Sequence, residues 1–197
     1  MDEGKVLLVN LSKGRIGDDA SALLGSFLVT ALQIAAMGRA DMPEAQRRDF
    51  HLYVDEFQNY ATDSFATILS EARKYRLNLT IAHQYLEQVP AETLAAVFGN
   101  VGSMVVFQVG TKDAEILAEQ LGGGLTAQDL LQLDRYHAYV RLLIDGHPSR
   151  PFSLKTLPPP SGHDERRPGS IRRYTRYRYG RPAERVEREI AQAFATI

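Results

Sequence analysis

The stretch Phe50-His51-Leu52-Tyr53-Val54-Asp55-Glu56-Phe57-Gln58 constrains the fold more than any other part of the chain. Its first five residues are mostly aromatic, β-branched or Leu, the profile of a strand buried on both faces of a parallel sheet. Two adjacent carboxylates follow. Open α/β sheets place their ligands at the carboxyl ends of such strands. An acid pair there can divide its labour, the first acid holding Mg²⁺ and the second polarising an attacking water. The plainer reading is a strand end whose acids cap the next element or face solvent. The phosphate loop G-x-x-x-x-G-K-[ST] that usually accompanies such a pair occurs nowhere in the 197 residues.

Around this strand the chain alternates between two periodicities. Val6 to Asn10 reads as a second buried strand, followed by a glycine-broken loop, and Asp18 or Asp19 can cap a helix running to about Met37. Ser64 to Tyr75 keeps helical spacing, Leu77 to Ala82 reads as a strand ending at His83-Gln84, and Ala91 to Phe98 as a helix. Ser103 to Val109 is a further strand. Lys112 to Leu121 is helical until Gly122-Gly123-Gly124, and Asp145-Gly146 turns a hairpin between His137–Ile144 and Phe152–Leu154. Strands alternating with helices predict an α/β fold with a mostly parallel sheet flanked by helices. The C-terminal β-hairpin adds an antiparallel edge.

Pro158-Pro159-Pro160-Ser161-Gly162 ends that domain. The division expected is 1–157 as the α/β domain, 158–182 as a Pro/Arg/Tyr-rich linker or tail, and 183–197 as a short C-terminal helix. The formal net charge of −1 conceals a split: residues 161–197 hold nine arginines against five acids. With no apolar core between Arg166 and Arg181, that basic tail is expected to be disordered when free.

Cysteine is absent, so neither a disulfide scaffold nor a thiolate metal site is available. The apolar run Ala20–Met37 is interrupted by Ser21, Ser26, Thr30 and Gln33, which predicts a buried helix of a soluble chain rather than a membrane span. No secretory signal is visible at the N-terminus, where Asp2, Glu3 and Lys5 fall within the first ten residues.

Several side chains could carry chemistry. Asp55 would take Mg²⁺ and Glu56 would orient and deprotonate water. Gln84, at the end of the neighbouring strand, could contact a γ-phosphate or the attacking water, or simply hydrogen-bond its own loop. Arg73 could enter a neighbouring subunit's site as an arginine finger. The spacing of Glu71 and Lys74 instead favours a solvated helix face with ion pairs. Lys13 and Arg15 could reach a nucleic-acid phosphate. Arg172, Arg173, Tyr174, Arg176, Tyr177 and Arg178 offer phosphate contacts and stacking faces, or merely a solubilising end. The histidines lack metal-ligand spacing, and no G-x-S-x-G elbow supports a serine nucleophile.

Taken in order, Gly4–Gly14 (GKVLLVNLSKG), Leu52–Gln58 (LYVDEFQ), Ser70–Tyr75 (SEARKY) and Thr80–Gln84 (TIAHQ) resemble the TraG/TraD-type coupling ATPases of conjugation and type IV secretion. Gly99-Asn100-Val101-Gly102 and Asp113-Ala114-Glu115 extend the likeness over roughly residues 4–155. The resemblance implies a RecA-like core of the HerA/FtsK class and a hexameric, DNA-translocating ring that is cytoplasmic, or held at the inner membrane by a region of the complete protein outside these residues. ATP and Mg²⁺ would serve the complete protein, with relaxosome or secretion-system proteins as partners. It implies that Asp55-Glu56 is the Walker B pair, Gln84 the γ-phosphate sensor and Arg73 the trans-acting arginine. Gln108 departs from the Arg of the family pattern. Without a phosphate loop, the chain alone is expected neither to bind nor to hydrolyse ATP appreciably. A non-catalytic accessory or remnant subunit that binds DNA or a relaxosome or motor partner is the rival expectation. A metal-dependent hydrolase is a third, lacking further carboxylates at ligand spacing near Asp55.

Overall fold

The computed structural model describes residues 1–61, 63–162, 164 and 166–195, without the side chains of 63, 64 and 66. His163 and the last two residues of the expected C-terminal helix segment lie outside the described residues. The chain separates into two units, Met1–Thr156 and Leu157–Ile197.

In the first unit, β1 (Phe50–Val54) pairs in parallel with β2 (Leu77–Ile81), Phe50 opposite Leu77 and Val54 opposite Ile81. The connection is α3 (Asp63–Glu71) followed by a 3₁₀ turn, Ala72–Tyr75. Alternation along each strand sends Phe50, Leu52 and Val54, with Leu77, Leu79 and Ile81, into one core. His51, Tyr53, Asn78 and Thr80 occupy the other face and are exposed. The expectation of a strand buried on both faces is therefore corrected: among the described residues the parallel pair is covered on one side.

The helix α1 (Lys13–Ile16) precedes α2 (Asp18–Met37). Gly25 of α2 faces the Tyr60 ring so closely that an added Cβ would lie 2.1 Å from Cδ1. Ser21 Oγ donates to the Leu11 carbonyl at 2.7 Å. Val29 and Ala36 complete the contact with the core. The opposite side carries Leu23, Leu24, Phe27 and Ile34, each more than half exposed. The expected buried helix is thus buried along one stripe only. By length and composition, it reaches what a membrane crossing requires. The expected strand at Val6–Asn10 does not form; Val6 and Leu8 are 86% and 77% exposed. Apolar residues specify burial only when something packs against them, and among the described residues nothing covers this segment.

The helix α4 (Ala91–Asn100) joins the two cores, because Leu94 and Phe98 pack against both. The second core lies beneath β3 (Met104–Val106), α5 (Thr111–Leu121) and α6 (Ala127–Leu131). Gly122, Gly123 and Gly124 all have positive φ, at 72°, 69° and 84°, and end α5 abruptly. After α6 come β4 (His137–Arg141), the small ribbon β5 (Leu143–Ile144) and β6 (His147–Pro148), and β7 (Phe152–Lys155). The order β3-β4-β7 is antiparallel throughout. The hairpin forms as expected, whereas the mostly parallel sheet does not: β1 and β2 are the parallel pair among the described strands. A short apolar run reports burial and carries no information about the direction of pairing.

The second unit consists of α7 (Arg166–Tyr179) and α8 (Ala183–Ala195). The expectation of a disordered basic tail is corrected by α7. Arginine is a strong helix former, and Pro168 and Gly169 fall in the first turn, where proline is tolerated. Asp164 Oδ1 accepts the Arg166 N–H at 3.0 Å.

Candidate functional site

The two parallel strands stay joined beyond their ends. Ala82 N–H donates to the Val54 carbonyl at 2.9 Å, and Phe57 N–H donates to the Ala82 carbonyl at 3.1 Å. Between these bonds sits Glu56, with φ 51° and ψ 44°, in the left-handed region. A non-glycine residue there carries strain of about 1 kcal/mol, held only where its surroundings over-determine it. The surroundings are visible. Asn59 donates to the Glu56 carbonyl from both its backbone N–H (3.0 Å) and its Nδ2 (3.1 Å). Glu56 N–H donates to Asp55 Oδ1 at 3.0 Å. Phe57 is fully buried, tilted against Phe65 at 5.6 Å and edge-on to His83 at 5.2 Å.

The Glu56 carboxylate receives two amides. Gln58 Nε2 donates to Oε2 at 2.7 Å and Gln84 Nε2 donates to Oε1. These bonds, first from Gln58 and then from Gln84, hold the Glu56 carboxyl below its usual range, with Lys13 and His83 adding in the same direction. Gln58 Nε2 also reaches Gln88 Oε1 at 3.1 Å, and Gln58 Oε1 is buried without a hydrogen-bond partner among the described residues. His83 is pushed below its ordinary value by burial, against the opposing pull of Asp113 and Glu56.

Lys13 lies on the same cleft as Glu56, Gln84 and Tyr85. Its Nζ donates to Asn59 Oδ1 at 3.0 Å and pairs with Asp18 at 3.6 Å. The structure therefore brings Glu56, Gln84 and Lys13 to one cleft, whereas Asp55 adjoins Glu56 in the chain and does not line it. Arg15 is exposed on α1. Arg73 is exposed in the turn before β2, at the end of the parallel pair opposite the acids. Five residues of strand put it roughly 16 Å from the acid end, so no contact with Glu56 of its own chain follows. Arg172, Arg173, Tyr174, Arg176, Tyr177 and Arg178 are exposed on α7 in the other unit. Sequence reasoning missed Gln58, Asn59 and Gln88; the density of amide side chains at 58, 59, 84 and 88 was the available signal.

Fold and site together define a mixed α/β domain whose parallel pair ends in a cleft of one carboxylate and several amides. Residues 49–129 match the family described as the TraM recognition site of TraD and TraG. The structure resembles the bacterial conjugative coupling protein TrwBdeltaN70 in its unbound monoclinic form, with a TM-score of 0.50 and 17% identity. That likeness spans 60% of this chain and 34% of the other, and concerns the fold. No curated protein matches the chain. Residues 49–129 are thus similar to the C-terminal part of TraG/TraD-type coupling proteins, and the chain spans about a third of the length of the coupling protein whose fold it resembles.

Proposed function

We propose that this chain is the hydrolytic and recognition part of a RecA-like, ATP-driven DNA-translocating motor of the conjugative coupling type. The observation that carries the reading is the Glu56 carboxylate, held in a left-handed turn at the carboxyl ends of β1 and β2 and gripped by Gln84. In this reading Glu56 orients and deprotonates the attacking water. Gln84, bound to it, senses the γ-phosphate. Arg73, distant from its own cleft, acts on a neighbouring subunit's site in a hexameric ring. Residues 49–129 would meet a relaxosome protein of the TraM kind, as the family description suggests.

The residues fit a metal of modest demands. Asp55 is exposed, and its Oδ1 accepts the Glu56 N–H at 3.0 Å. Mg²⁺ is commonly held by one or two carboxylates with phosphate oxygens and waters. Asp55 would be its protein ligand, and the metal would neutralise phosphate charge. Without a phosphate loop in these residues, ATP and Mg²⁺ are assigned in this reading to the complete motor. For the chain alone, calorimetry is expected to find no ATP affinity; micromolar binding would defeat this part of the proposal.

The motor reading is tested in a conjugation assay. Glu56→Gln is expected to lower transfer by about 10²- to 10⁴-fold, the range of a lost general base. Intact transfer would favour the second reading, an accessory subunit that binds DNA. That reading draws on α7, which carries six arginines and no acid over Arg166–Tyr179. Arg172, Arg173, Arg176 and Arg178 would contact phosphates, Tyr174 and Tyr177 would stack on bases, and Lys13 and Arg15 would add phosphate contacts. Unchanged single-strand binding at low salt after truncation at Pro160 would remove the tail from that reading.

A further inference from the structure

We infer that Asp113, at the start of α5, is a positioning residue that sets the contact between Gln84 and Glu56 by fixing the segment 83–88. The inference rests on the proposed role of Glu56 and Gln84 as a working pair. An acid in the first turn of a helix ordinarily complements the helix dipole from a solvated position. Asp113 instead is 6% exposed, and its Oδ2 accepts the backbone N–H of Leu86 at 3.2 Å. A buried carboxylate spent on a loop amide is costly unless that loop must be held in place.

The rest of the segment is gripped from both cores. The Leu86 side chain is inserted in the second core, against the buried side of α5. Next to Asp113, Lys112 Nζ pairs with Glu87 at 2.5 Å. On the other side, His83 meets Phe57 edge-on, Val89 enters the first core, and Gln88 bonds Gln58. Gln84 stands between these two sets of anchors, two residues before the amide that Asp113 holds. If Asp113 releases Leu86, the segment keeps its attachment to the first core, and on α5 it loses its backbone fixture and retains the exposed Lys112–Glu87 pair and the Leu86 side chain. Gln84 then gains freedom to leave Glu56.

The test is NMR and amide hydrogen exchange of the full chain at a temperature where each variant is folded. In Asp113→Ala the Leu86 amide is expected to exchange at least about tenfold faster, and the Gln84 side-chain amide signals are expected to move to where they lie in Glu56→Ala, which removes their acceptor. Asp113→Asn, which keeps an acceptor for Leu86, is expected to retain the wild-type exchange and the wild-type Gln84 signals. A purely structural role would lower the melting temperature and leave the Gln84 signals in place, and that result overturns the inference. Should the alanine variant not fold, Asp113→Glu moves the acceptor by one methylene and gives the same comparison. Shifted Gln84 signals support the inference and unmoved ones overturn it. If Glu56→Gln leaves transfer intact while Asp113→Ala still shifts the Gln84 signals, the motor reading fails and the positioning role stands. The reverse pattern separates them the other way.

Discussion

Gln84 donates its side-chain amide to the carboxylate of Glu56 across the ends of two parallel strands, joining residues 28 positions apart in sequence. The bond fixes a strained acid and a strand-end amide in one geometry. With Gln58 as the second donor, Glu56 is kept ionised to lower pH than a free glutamate.

The two donors are expected to contribute unequally. Gln58→Ala should raise the Glu56 midpoint more than Gln84→Ala, since the Gln58 bond is the larger cause of the depression. Because the folded value is depressed, the stabilisation is present above the ordinary glutamate range and lost as pH falls through the folded value. Thermal melts of wild type and both variants should therefore converge in acid, and carboxyl-detected NMR gives the midpoints.

His83 gives a second pH dependence with a defined sign. Burial holds it below its ordinary value of 6.5, so the folded state takes up its proton later than the unfolded chain does. Stability is full above pH 6.5 and declines as pH falls through the folded value. His83→Phe is expected to flatten that part of the profile while keeping an aromatic contact with Phe57. Melting temperatures between pH 5 and 8 measure it.

Two glycine-to-alanine changes should act in opposite directions. At Gly25 an added Cβ would lie 2.1 Å from the Tyr60 ring, and overpacking of that kind costs about 1–3 kcal/mol. At Gly99, inside α4, a Cβ meets nothing within 4 Å, and removing helix-interior glycine gains about 0.5–1 kcal/mol. Urea denaturation of the two variants reads both signs.

Arg39 is 2% exposed. Nη1 donates to the Tyr75 carbonyl at 2.8 Å and Nη2 donates to Asp2 at 2.7 Å. Arg47 holds the neighbouring Lys74 carbonyl, so two guanidinium groups fasten the turn that presents Arg73. Arg39→Ala leaves the Tyr75 carbonyl without this donor and opens a void, and is expected to destabilise by about 2–3 kcal/mol. Asp2→Ala, which leaves a buried guanidinium short of its counter-charge, should destabilise as well. Denaturant midpoints distinguish both from surface changes such as Lys74→Ala, expected to stay within about 0.5 kcal/mol.

The legible parts of the sequence were those where local rules agree. Strand β1, strand β2 and the Asp145-Gly146 hairpin follow from apolar runs bounded by breakers, and Gly122–Gly124 marks the end of α5 without ambiguity. The acid pair and Gln84 were legible as strand-end polar residues, and the structure joins Glu56 to Gln84 directly. What remained hidden depends on partners remote in the chain. The pairing of β3 with β4, residues 104–106 against 139–141, is a tertiary choice among several possible neighbours. Asp113 looks in sequence like an ordinary helix-start acid; only the fold reveals that Leu86 comes to it. Val6–Val9 has the composition of a core strand, yet the surface that would bury it is not among the described residues. In α7, charge argued for disorder where helix propensity argued for order.

The one-sided covering of β1 and β2 has a practical consequence for colloidal behaviour. A parallel pair with Tyr53 72% exposed, together with the bare apolar side chains of Val6–Val9 and the outer side of α2, offers sticky surface and an open strand edge. Self-association through that face would compete with folding at high concentration. Detergent or dilution, rather than a change of pH, is the expected remedy when the chain is handled on its own.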